Sequence, residues 1–430
     1  MKIGVIGLGY VGMTFAFAAT LKNQEVYGTE VNPVIKESLV NNRAHFFEPG
    51  LDRIIEKYNN KTFFLVDKFT KEMQIDAFLM TVGTPLKPGE TTPNFDYIQS
   101  ALSSLKDAYT GNELIILRST VSVGTTRKIV IPYLCDICGK SETEIKVAYC
   151  PERTVEGKAI DELQTLPQIV SGNTPEALKM AEDVFREITP YVIKVSSLET
   201  AEMIKLVCNT YRDMHFALGN VLNFACQALG VNGQEVIHAA NLGYDRSRVA
   251  LPGFVGGPCL EKDAYIMTDN MEAGSVKDFI LGARKFNESL EDIVIDWTIN
   301  KLNTNTEKKS VIAISGMAFK GVPPTSDLRG SNSVNIAKKL AAKGYTLLIH
   351  DFCCKKEEMA ELQVGKIAET IEEAAKNADI LLILNNNKSY STVNYAALID
   401  TLSSHTILDT WSCCTDSSID GVYNLGNMYL

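Results

Sequence analysis

A cysteine in a glycine-rich turn is the feature of the sequence that most clearly suggests chemistry. In GFVGGPCLEKDAY, Cys259 follows Gly256 and Gly257 and precedes Lys262 and Asp263. Glycines let a ligand approach the backbone closely, and a nearby lysine favours the reactive thiolate. An ordinary turn cysteine is the alternative interpretation. The adjacent charged pair favours a covalent nucleophile.

A G-x-G-x-x-G motif is the second chemical feature, and it lies between an apolar strand and a helix. Gly7 allows the tight turn, Gly9 lets the backbone approach a pyrophosphate, and Gly12 lets the helix pack on the strand. Glu30 ends the next strand about 20 residues on, where it can accept hydrogen bonds from both ribose hydroxyls. This pairing favours NAD over NADP. A tight turn with a surface glutamate is the alternative.

Two further turns and one helix face carry polar groups where ligands commonly bind. The turns are VGTP at 82–85 and RSTV at 118–121, and each follows an apolar strand. The carboxyl ends of strands line the crevice of a doubly wound sheet, although both stretches can be plain turns. Lys205 and Asn209 lie at i and i+4 and share one helix face. The lysine either snorkels from a core edge or stabilises an oxyanion.

Strands and helices in alternation must position these residues. Apolar runs predict strands at KIGVIG, EVYGTE, AFLMTVG, ELIILRST, KVAYC and PQIVSG. Strands separated by helices indicate a parallel, doubly wound sheet. From Leu198, helical spacing continues for about 30 residues and predicts one long helix, with more helix toward DWTINKL. The polar segment 303–309 is a linker candidate, and a second strand-loop-helix-strand order follows, its helix closed by Gly344.

Composition limits the classes of partner. The chain has 430 residues, enough for two or three domains, and a formal net charge of −10 from 42 basic and 52 acidic residues. This balance argues against nucleic acid or an anionic membrane as the main partner. Without a signal-peptide pattern or an apolar run of about 18 residues, the sequence predicts a cytoplasmic protein. The spacing of the ten cysteines predicts no metal site.

Taken in order, these motifs resemble the UDP-glucose/GDP-mannose dehydrogenase family, the nucleotide-sugar 6-dehydrogenases. The resemblance covers nearly the whole chain. Its motifs are G-x-G-x-x-G at 7–12, E-P-G-L at 48–51, G-T-P at 83–85, S-T-V at 119–121, P-E at 151–152, K-x-x-x-N at 205–209, G-G-x-C-x-x-K-D at 256–263, F-K at 319–320 and D-x-R at 327–329.

The resemblance implies a C6 alcohol oxidised twice to a carboxylate with two NAD⁺, through a thiohemiacetal and a thioester on the cysteine. It assigns catalysis to Cys259, Lys205, Asn209, Asp263, Glu152 and Thr120. The expected cofactor contacts are Gly7, Gly9, Tyr10, Val11, Gly12, Glu30, Gly83, Thr84, Pro85, Ser119, Thr120, Glu156, Lys262 and Arg329. The expected substrate contacts are Glu152, Arg153, Lys205, Asn209, Arg246, Phe254, Gly256, Gly257 and Lys320.

The resemblance also implies two Rossmann-like doubly wound α/β domains joined by a central helical domain with a long spine helix. The predicted division is an NAD-binding domain at 1–197, a helical dimerisation domain with the cysteine at 198–305, and a UDP-sugar-binding domain at 306–430. A homodimer acting in polysaccharide precursor synthesis is expected. Lys262 either tunes the thiol or contacts the cofactor.

Departures from the family pattern concern the sugar. Arg153 stands where UDP-glucose enzymes carry an aromatic residue, and this resembles the branch that acts on UDP-N-acetylmannosamine or UDP-N-acetylglucosamine. The arginine that the family contributes from a neighbouring subunit has two candidates, Arg246 and Arg248. The alternative functions are a UDP-glucose 6-dehydrogenase, a two-electron hydroxyacid-type dehydrogenase, and a non-catalytic homologue that binds NAD or sugar nucleotide.

Overall fold

The computed structural model describes residues 1–302, 310–376, 378–416 and 418–430. The predicted linker at 303–309 therefore lies outside the described residues. The chain forms two units. The N-terminal unit comprises Met1–Cys208 and Tyr265–Glu272, and the C-terminal unit comprises Asn209–Ala264 and Ala273–Leu430. The predicted division into three domains remains a prediction.

The N-terminal unit contains a six-stranded parallel sheet in the order β3-β2-β1-β4-β5-β6. Its strands are β1 Lys2–Ile6, β2 Glu25–Thr29, β3 Phe63–Leu65, β4 Ala77–Met80, β5 Leu114–Leu117 and β6 Lys146–Tyr149. β7 Gln168–Val170 and β8 Val192–Lys194 form a separate pair. The helices are α1 Tyr10–Thr20, α2 Pro33–Val40, α3 Leu51–Tyr58, α4 Asp96–Ser104, α5 Ile131–Cys138, α6 Ala159–Thr165 and α7 Pro175–Arg186.

The central strands of this sheet are apolar because helices cover both faces. β4 and β5 read AFLM and LIIL, and every residue in them is buried. β1 lies between β2 and β4, with Ile3 opposite Val26 and Ala77. α1 is buried from Gly12 to Thr20. The sheet therefore presents the carboxyl ends of β1, β2, β4 and β5 at one edge, where the predicted cofactor residues lie.

Four helices follow, α8 Leu198–Ala228, α9 Gly233–Asn241, α10 Gly257–Thr268 and α11 Ser275–Leu302. α8 is the long helix that the apolar spacing predicts, and it extends over 31 residues. It carries both Lys205 and Asn209. Residues 251–256 precede α10, and Cys259 lies in the first turn of that helix.

The C-terminal unit repeats the first architecture. Its sheet has the order β11-β10-β9-β12-β13-β14, with β9 Val311–Ser315, β10 Thr346–His350, β11 Lys366–Ile367, β12 Ile380–Ile383, β13 Thr406–Asp409 and β14 Val422–Tyr423. The helices are α12 Asn332–Ala342, α13 Lys356–Glu361, α14 Ile371–Lys376 and α15 Tyr395–Thr401. Gly344 follows α12 with a φ of +90°, as its position predicts. The predicted fold class is confirmed.

The described residues also contain three short helical segments. Lys71–Met73 and Lys388–Thr392 are 3₁₀ turns, and Thr126–Val130 is a π-helical turn before α5. Among the described helices, none has both the length and the hydropathy that crossing a bilayer requires.

Candidate active site

The glycine-rich turn after β1 has the form that a diphosphate requires. Gly7 has a φ of +85°, which favours glycine. A Cβ at Gly12 would lie 1.9 Å from the Gly7 carbonyl oxygen, whereas a Cβ at Gly9 would meet no atom within 4 Å. α1 begins at Tyr10, directly after this open position. The first-turn amides of the helix and the space at Gly9 therefore fit the pyrophosphate of NAD.

Glu30 is fixed beside this turn, at the carboxyl end of β2. Its Oε2 accepts the backbone N–H of Leu8 at 2.7 Å. Its Oε1 accepts the N–H groups of Val31 at 2.7 Å and Asn32 at 2.9 Å. The carboxylate is therefore held in the position where a dinucleotide presents its adenosine ribose. The turn and Glu30 together fit the predicted cofactor.

Tyr10 connects this turn to the loop that follows β6. Its hydroxyl donates to Glu48 Oε2 at 2.6 Å, and the same oxygen accepts the N–H of Gly157 at 2.8 Å. Burial and the Glu48 carboxylate raise the pKa of Tyr10, and the charge of Glu156 adds to this. Glu48 thus links the two places where the sequence predicts cofactor contacts, Tyr10 and the Glu156 loop.

The turns after β4 and β5 are hydrogen-bonded to each other. Thr84 Oγ1 donates to the carbonyl of Thr120, and Ser119 Oγ donates to the carbonyl of Val82, both at 2.6 Å. A Cβ at Gly83 would meet no atom within 4 Å. The two predicted cofactor segments are therefore held together by these hydrogen bonds. The absence of a side chain at Gly83 leaves space beside them for a ligand.

Arg118 is a buried partner of Glu152 that the sequence motifs did not identify. It directly follows β5, and its side chain has no exposed surface. Its Nε and NH2 both donate to Glu152 Oε2, the former at 2.9 Å. The remaining donor bonds go to the Cys150 carbonyl and the Gln168 side chain, each at 3.1 Å. One guanidinium therefore fixes the loop that begins after β6.

Glu152 is an ionised carboxylate with every oxygen occupied. Its Oε1 accepts the backbone N–H groups of Arg153 at 2.7 Å and Thr154 at 2.6 Å. Burial raises the pKa of Glu152, but the charge of Arg118, the Thr154 N–H and the charge of Lys205 outweigh it and lower the pKa. A carboxylate has about four lone-pair sites, and here four donor groups fill them.

Lys205 and Arg153 are two further residues that the sequence predicts to contact the substrate. Lys205 is buried on α8, and its charge acts on Glu152. The Arg153 guanidinium donates to the Pro167 carbonyl. The charge of Lys205 therefore helps to keep Glu152 ionised, and the Arg153 side chain is anchored to the backbone.

The cysteine turn is packed tightly against the segment that carries Phe319 and Gly330. A Cβ at Gly257 would lie 2.5 Å from the Phe319 ring, and one at Gly256 would lie 2.4 Å from the Gly330 carbonyl oxygen. The Gly257 N–H also donates to that oxygen at 2.8 Å. Close packing of the chain is therefore one reason for these glycines. Cys259 itself is exposed.

Asp263 is buried one turn after Cys259 and is held from two sides. Its Oδ2 accepts Nδ2 of Asn209 at 2.6 Å, and its Oδ1 accepts Nζ of Lys262 at 3.0 Å. Burial lowers the pKa of Lys262, but the charges of Asp263 and Cys259 outweigh it and raise the pKa. Lys262 is thus a cation that interacts with both the carboxylate and the thiol. This favours the interpretation in which Lys262 acts on the thiol.

The other predicted residues of the C-terminal unit have local partners. Arg329 donates to both oxygens of Asp327, with Nε at 3.0 Å from each. Lys320 Nζ lies 5.3 Å from the centroid of the Phe319 ring, and the Arg246 guanidinium lies 4.9 Å from that of Tyr244. Phe254 is 6% exposed and belongs to the hydrophobic core. The structure gives Phe254 a packing role, and its contact with substrate stays a prediction.

Comparison with known proteins places the chain among sugar-nucleotide dehydrogenases. Three family models match, all described as UDP-glucose/GDP-mannose dehydrogenase family: the NAD binding domain at residues 1–189, the central domain at 199–289 and the UDP binding domain at 313–416. A UDP-N-acetyl-D-mannosamine dehydrogenase from Campylobacter jejuni is 29% identical over 411 residues, which cover 91% of this chain and 97% of the relative.

Two further matches agree with this. A UDP-N-acetyl-D-mannosamine dehydrogenase from Escherichia coli K12 is 30% identical over 414 residues, covering 91% of this chain and 95% of the relative. The solved structure of a UDP-D-ManNAc dehydrogenase from Pyrococcus horikoshii matches with a TM-score of 0.89 and 26% identity, and the match covers 100% of both chains.

Proposed function

Since the chain belongs to the UDP-glucose/GDP-mannose dehydrogenase family, we propose that it oxidises the C6 alcohol of a UDP-N-acetylhexosamine to the uronate. The activity class, an NAD-dependent nucleotide-sugar dehydrogenase, follows from the family. One observation supports the four-electron reaction above others: Cys259 is an exposed thiol in the first turn of α10, with Lys262 and Asp263 one turn further on. A two-electron dehydrogenase needs no such thiol.

The cofactor is held by the N-terminal unit. Gly7, Gly9 and Gly12 would admit its diphosphate to the N-terminus of α1, and Glu30 would accept the ribose hydroxyls. The bound dinucleotide supplies the hydride acceptor for each oxidation. Because Glu30 already has its charge fixed by three backbone N–H groups, it disfavours the additional 2′-phosphate of NADP.

Cys259 would form the covalent intermediate. The first oxidation removes a hydride and a proton from the alcohol and yields the aldehyde. The Cys259 sulfur then adds to the aldehyde carbon, and the carbonyl oxygen gains a proton, which gives a thiohemiacetal. Loss of a second hydride and that proton gives a thioester. Water adds to the thioester carbon, the carbon–sulfur bond breaks, and the carboxylate and the thiol are released.

Lys205 and Asn209 would stabilise the negative charge that develops on the substrate oxygen. Lys205 supplies a positive charge in a buried position, where such a charge acts most strongly on an oxyanion. Asn209 supplies an amide N–H, and one of its two hydrogens is engaged by Asp263. Asp263 thereby orients the amide that Asn209 presents to the substrate.

Asp263 is the stronger candidate for handling the water proton, with Thr120 as a relay. Asp263 accepts one hydrogen bond on each oxygen from the groups around it. Glu152 accepts two on each, so it has no lone pair left for water. We therefore propose that Glu152 fixes the backbone of the loop after β6 and that Asp263 performs the base chemistry.

The sugar is proposed from Arg153 and from the names of the relatives. UDP-N-acetylmannosamine is the first candidate and UDP-N-acetylglucosamine the second. The test is the rate of NADH formation with UDP-glucose, UDP-N-acetylglucosamine, UDP-N-acetylmannosamine, UDP-N-acetylgalactosamine and GDP-mannose. A UDP-N-acetylhexosamine should give the highest kcat/KM. A clear preference for UDP-glucose would refute the proposed substrate, but it would not affect the proposed mechanism.

Replacement of the thiol tests the covalent mechanism. Cys259→Ser should lower the rate of uronate formation by about 1000-fold or more, since no thioester can form. NAD⁺ binding, measured by titration, should be unchanged. Uronate formation at the wild-type rate would refute the thioester route. Cys208→Ser, on α8, is the matched control and should retain activity.

The homodimer is also a proposal, and the exposed surface of α8 supports it. Tyr211, Leu218 and Leu222 lie at i, i+7 and i+11, on one helix face, and they are 65%, 51% and 38% exposed. Exposed apolar patches mark interaction sites. Light scattering should give twice the chain mass of 47.3 kDa. A monomer mass would contradict the proposal.

The uronate product suits polysaccharide precursor synthesis in the cytoplasm.

A further inference from the structure

Arg284 is a completely buried arginine that contacts the backbone on both sides of Cys259. It lies on α11, and its side chain is 1% exposed. Its NH2 donates to the Val255 carbonyl at 3.0 Å, and its NH1 donates to the Leu260 carbonyl at 3.0 Å. Val255 precedes the cysteine by four residues, and Leu260 follows it directly. One guanidinium therefore bridges the segment that carries the thiol.

The charge of Arg284 is balanced by Asp213 on α8 and by Glu288 on its own helix, whose Oε1 lies 3.3 Å from Nε. NH1 donates to Asp213 Oδ1 at 2.7 Å, and Nδ2 of Asn287 donates to the same oxygen at 2.8 Å. Asn287 also donates to the Asp213 carbonyl at 2.9 Å. Asp213 thus binds the guanidinium from α8, and Asn287, on the same helix as Arg284, orients the Asp213 carboxylate.

Asn220 on α8 holds the start of the same turn. Its Nδ2 donates to the Gly253 carbonyl at 3.1 Å, and its Oδ1 accepts the Gly253 N–H at 2.9 Å. Nδ2 of Asn220 also donates to Asn287 Oδ1 at 3.0 Å. A continuous chain of hydrogen bonds therefore runs from Gly253 through Asn220, Asn287 and Asp213 to Arg284, and returns to the turn at Val255 and Leu260.

The turn needs this support because its own backbone makes few regular contacts. Residues 251–256 have no helix or strand, and α10 begins only at Gly257. The guanidinium is planar and presents its donors in a fixed fork, so it can bond two carbonyls at once. A lysine has a single nitrogen at the end of a flexible chain. Arg284 is therefore suited to fix where the first turn of α10, and with it Cys259, begins.

We propose that Arg284 is a positioning residue for the Cys259 nucleophile, a role that rests on the function proposed above. Because its side chain is 1% exposed, we expect it to act through the backbone of Val255 and Leu260 and not by touching substrate or cofactor. We expect Arg284 to affect the rate of the steps that need a bond between the Cys259 sulfur and the substrate carbon. Oxidation of the alcohol to the aldehyde needs no sulfur–carbon bond, so that step does not depend on Arg284.

The test compares Arg284→Lys and Arg284→Met with Lys285→Met, an exposed neighbour on α11 that serves as the control. Single-turnover NADH formation is measured from the UDP-sugar and, separately, from its 6-aldehyde. Misplacing a reacting group by about 1 Å costs about 100-fold in rate, so we expect that loss on aldehyde oxidation in Arg284→Met and about tenfold in Arg284→Lys. Alcohol oxidation should fall less than threefold in Arg284→Lys, and Lys285→Met should match the wild type.

Alkylation of Cys259 by iodoacetamide gives a readout that needs no sugar. Its rate is followed by mass spectrometry of the peptide that contains Cys259. A helix N-terminus favours the thiolate, so loosening the first turn of α10 should slow alkylation at neutral pH by about fivefold or more in Arg284→Lys. Arg284→Lys keeps the charge beside Asp213, so it serves if Arg284→Met does not fold.

The two readouts separate the possible failures. If no nucleotide sugar gives NADH with the wild type, the proposed function fails, and the alkylation rates still test the positioning role. If alkylation in Arg284→Lys equals that of the wild type, or if alcohol and aldehyde oxidation fall by the same factor, Arg284 supports the fold alone and the proposal is overturned.

Discussion

Among the described residues, one arginine in each unit is almost fully buried, and the two arginines are used differently. In the N-terminal unit Arg118 pairs with Glu152, and in the C-terminal unit Arg284 pairs with Asp213. Both guanidinium groups also donate to backbone carbonyls beside predicted site residues. The arginines thus share one task, since each fixes a loop that has no regular structure of its own.

The carboxylates of the two pairs differ in how many donors they receive. Glu152 accepts two bonds from Arg118 and two from backbone N–H groups, and its pKa is lowered. Asp213 Oδ1 accepts Arg284 and Asn287, whereas Oδ2 has no hydrogen-bond partner among the described residues. Burial, the largest influence, raises the pKa of Asp213 despite the charge of Arg284.

The comparison shows that an arginine neighbour alone does not decide the direction in which the pKa of a buried carboxylate shifts. Burial removes hydration, and hydrogen bonds to the charged form must replace it. Glu152 has that replacement on both oxygens, and Asp213 has it on one. The Arg118 pair is consequently a fixed ion pair, whereas the carboxylate of the Arg284 pair has one oxygen without a hydrogen-bond donor among the described residues.

Removal of Arg118 should have the largest effect on stability. Arg118→Met leaves a buried, ionised Glu152 without its partner, and we expect the free energy of unfolding to fall by about 3–5 kcal/mol. Urea denaturation followed by circular dichroism measures this. Arg127→Met is the control, because Arg127 pairs with Glu142 and Glu199 at the surface and should cost less than about 1 kcal/mol. Equal losses in both variants would contradict the account.

Neutralising the two carboxylates should distinguish the pairs directly. Glu152→Gln leaves the Arg118 charge unbalanced and should cost about 3 kcal/mol. Asp213→Asn should cost less, about 1 kcal/mol, because Arg284 keeps a second carboxylate, Glu288, 3.3 Å from its Nε, and because burial already raises the pKa of Asp213. The same denaturation experiment compares them. A larger loss of unfolding free energy in Asp213→Asn than in Glu152→Gln would contradict the proposed difference between the two pairs.

The pH dependence of stability should have opposite signs at the two sites, and it is the smallest of the three effects. The pKa of Glu152 is lowered on folding, so its contribution is present above its ordinary value and is lost as the pH falls through the folded pKa. The pKa of Asp213 is raised, so its contribution is present at low pH and is lost as the pH rises through the folded pKa.

Melting temperatures of wild type, Glu152→Gln and Asp213→Asn test these signs. Between about pH 7 and about pH 4, the advantage of the wild type over Glu152→Gln should shrink, and its advantage over Asp213→Asn should grow. Parallel curves for the two variants would show that the carboxylates titrate alike.

The sequence predicted the repeated architecture because continuous apolar runs and glycine turns carry a strong local signal. β1, β2, β4, β5 and the long helix α8 were predicted in this way. Strands of two or three residues, such as β3 and β14, have too few residues for a pattern. PQIVSG was predicted as a strand, but its pairing with β8 in a separate sheet depends on tertiary packing.

The candidate site was predicted where residue type and spacing are local, as for Cys259, Asp263 and the glycine-rich turn. Arg118 lies in a turn that the sequence analysis considered, but its burial and its pairing with Glu152 were not predicted, and Arg284 was not considered at all, because a charged side chain usually lies at the surface. Arg118 meets Glu152 across 34 residues, and Arg284 meets Asp213 across 71. No local spacing marks such pairs.

The central claim is a four-electron oxidation that passes through Cys259. The most direct measurement is the number of NADH molecules formed per molecule of UDP-N-acetylmannosamine when the sugar is limiting and the reaction runs to completion. Two NADH per sugar, with the uronate as product, is the predicted result. One NADH per sugar, with the aldehyde as product, would contradict the account and favour a two-electron dehydrogenase.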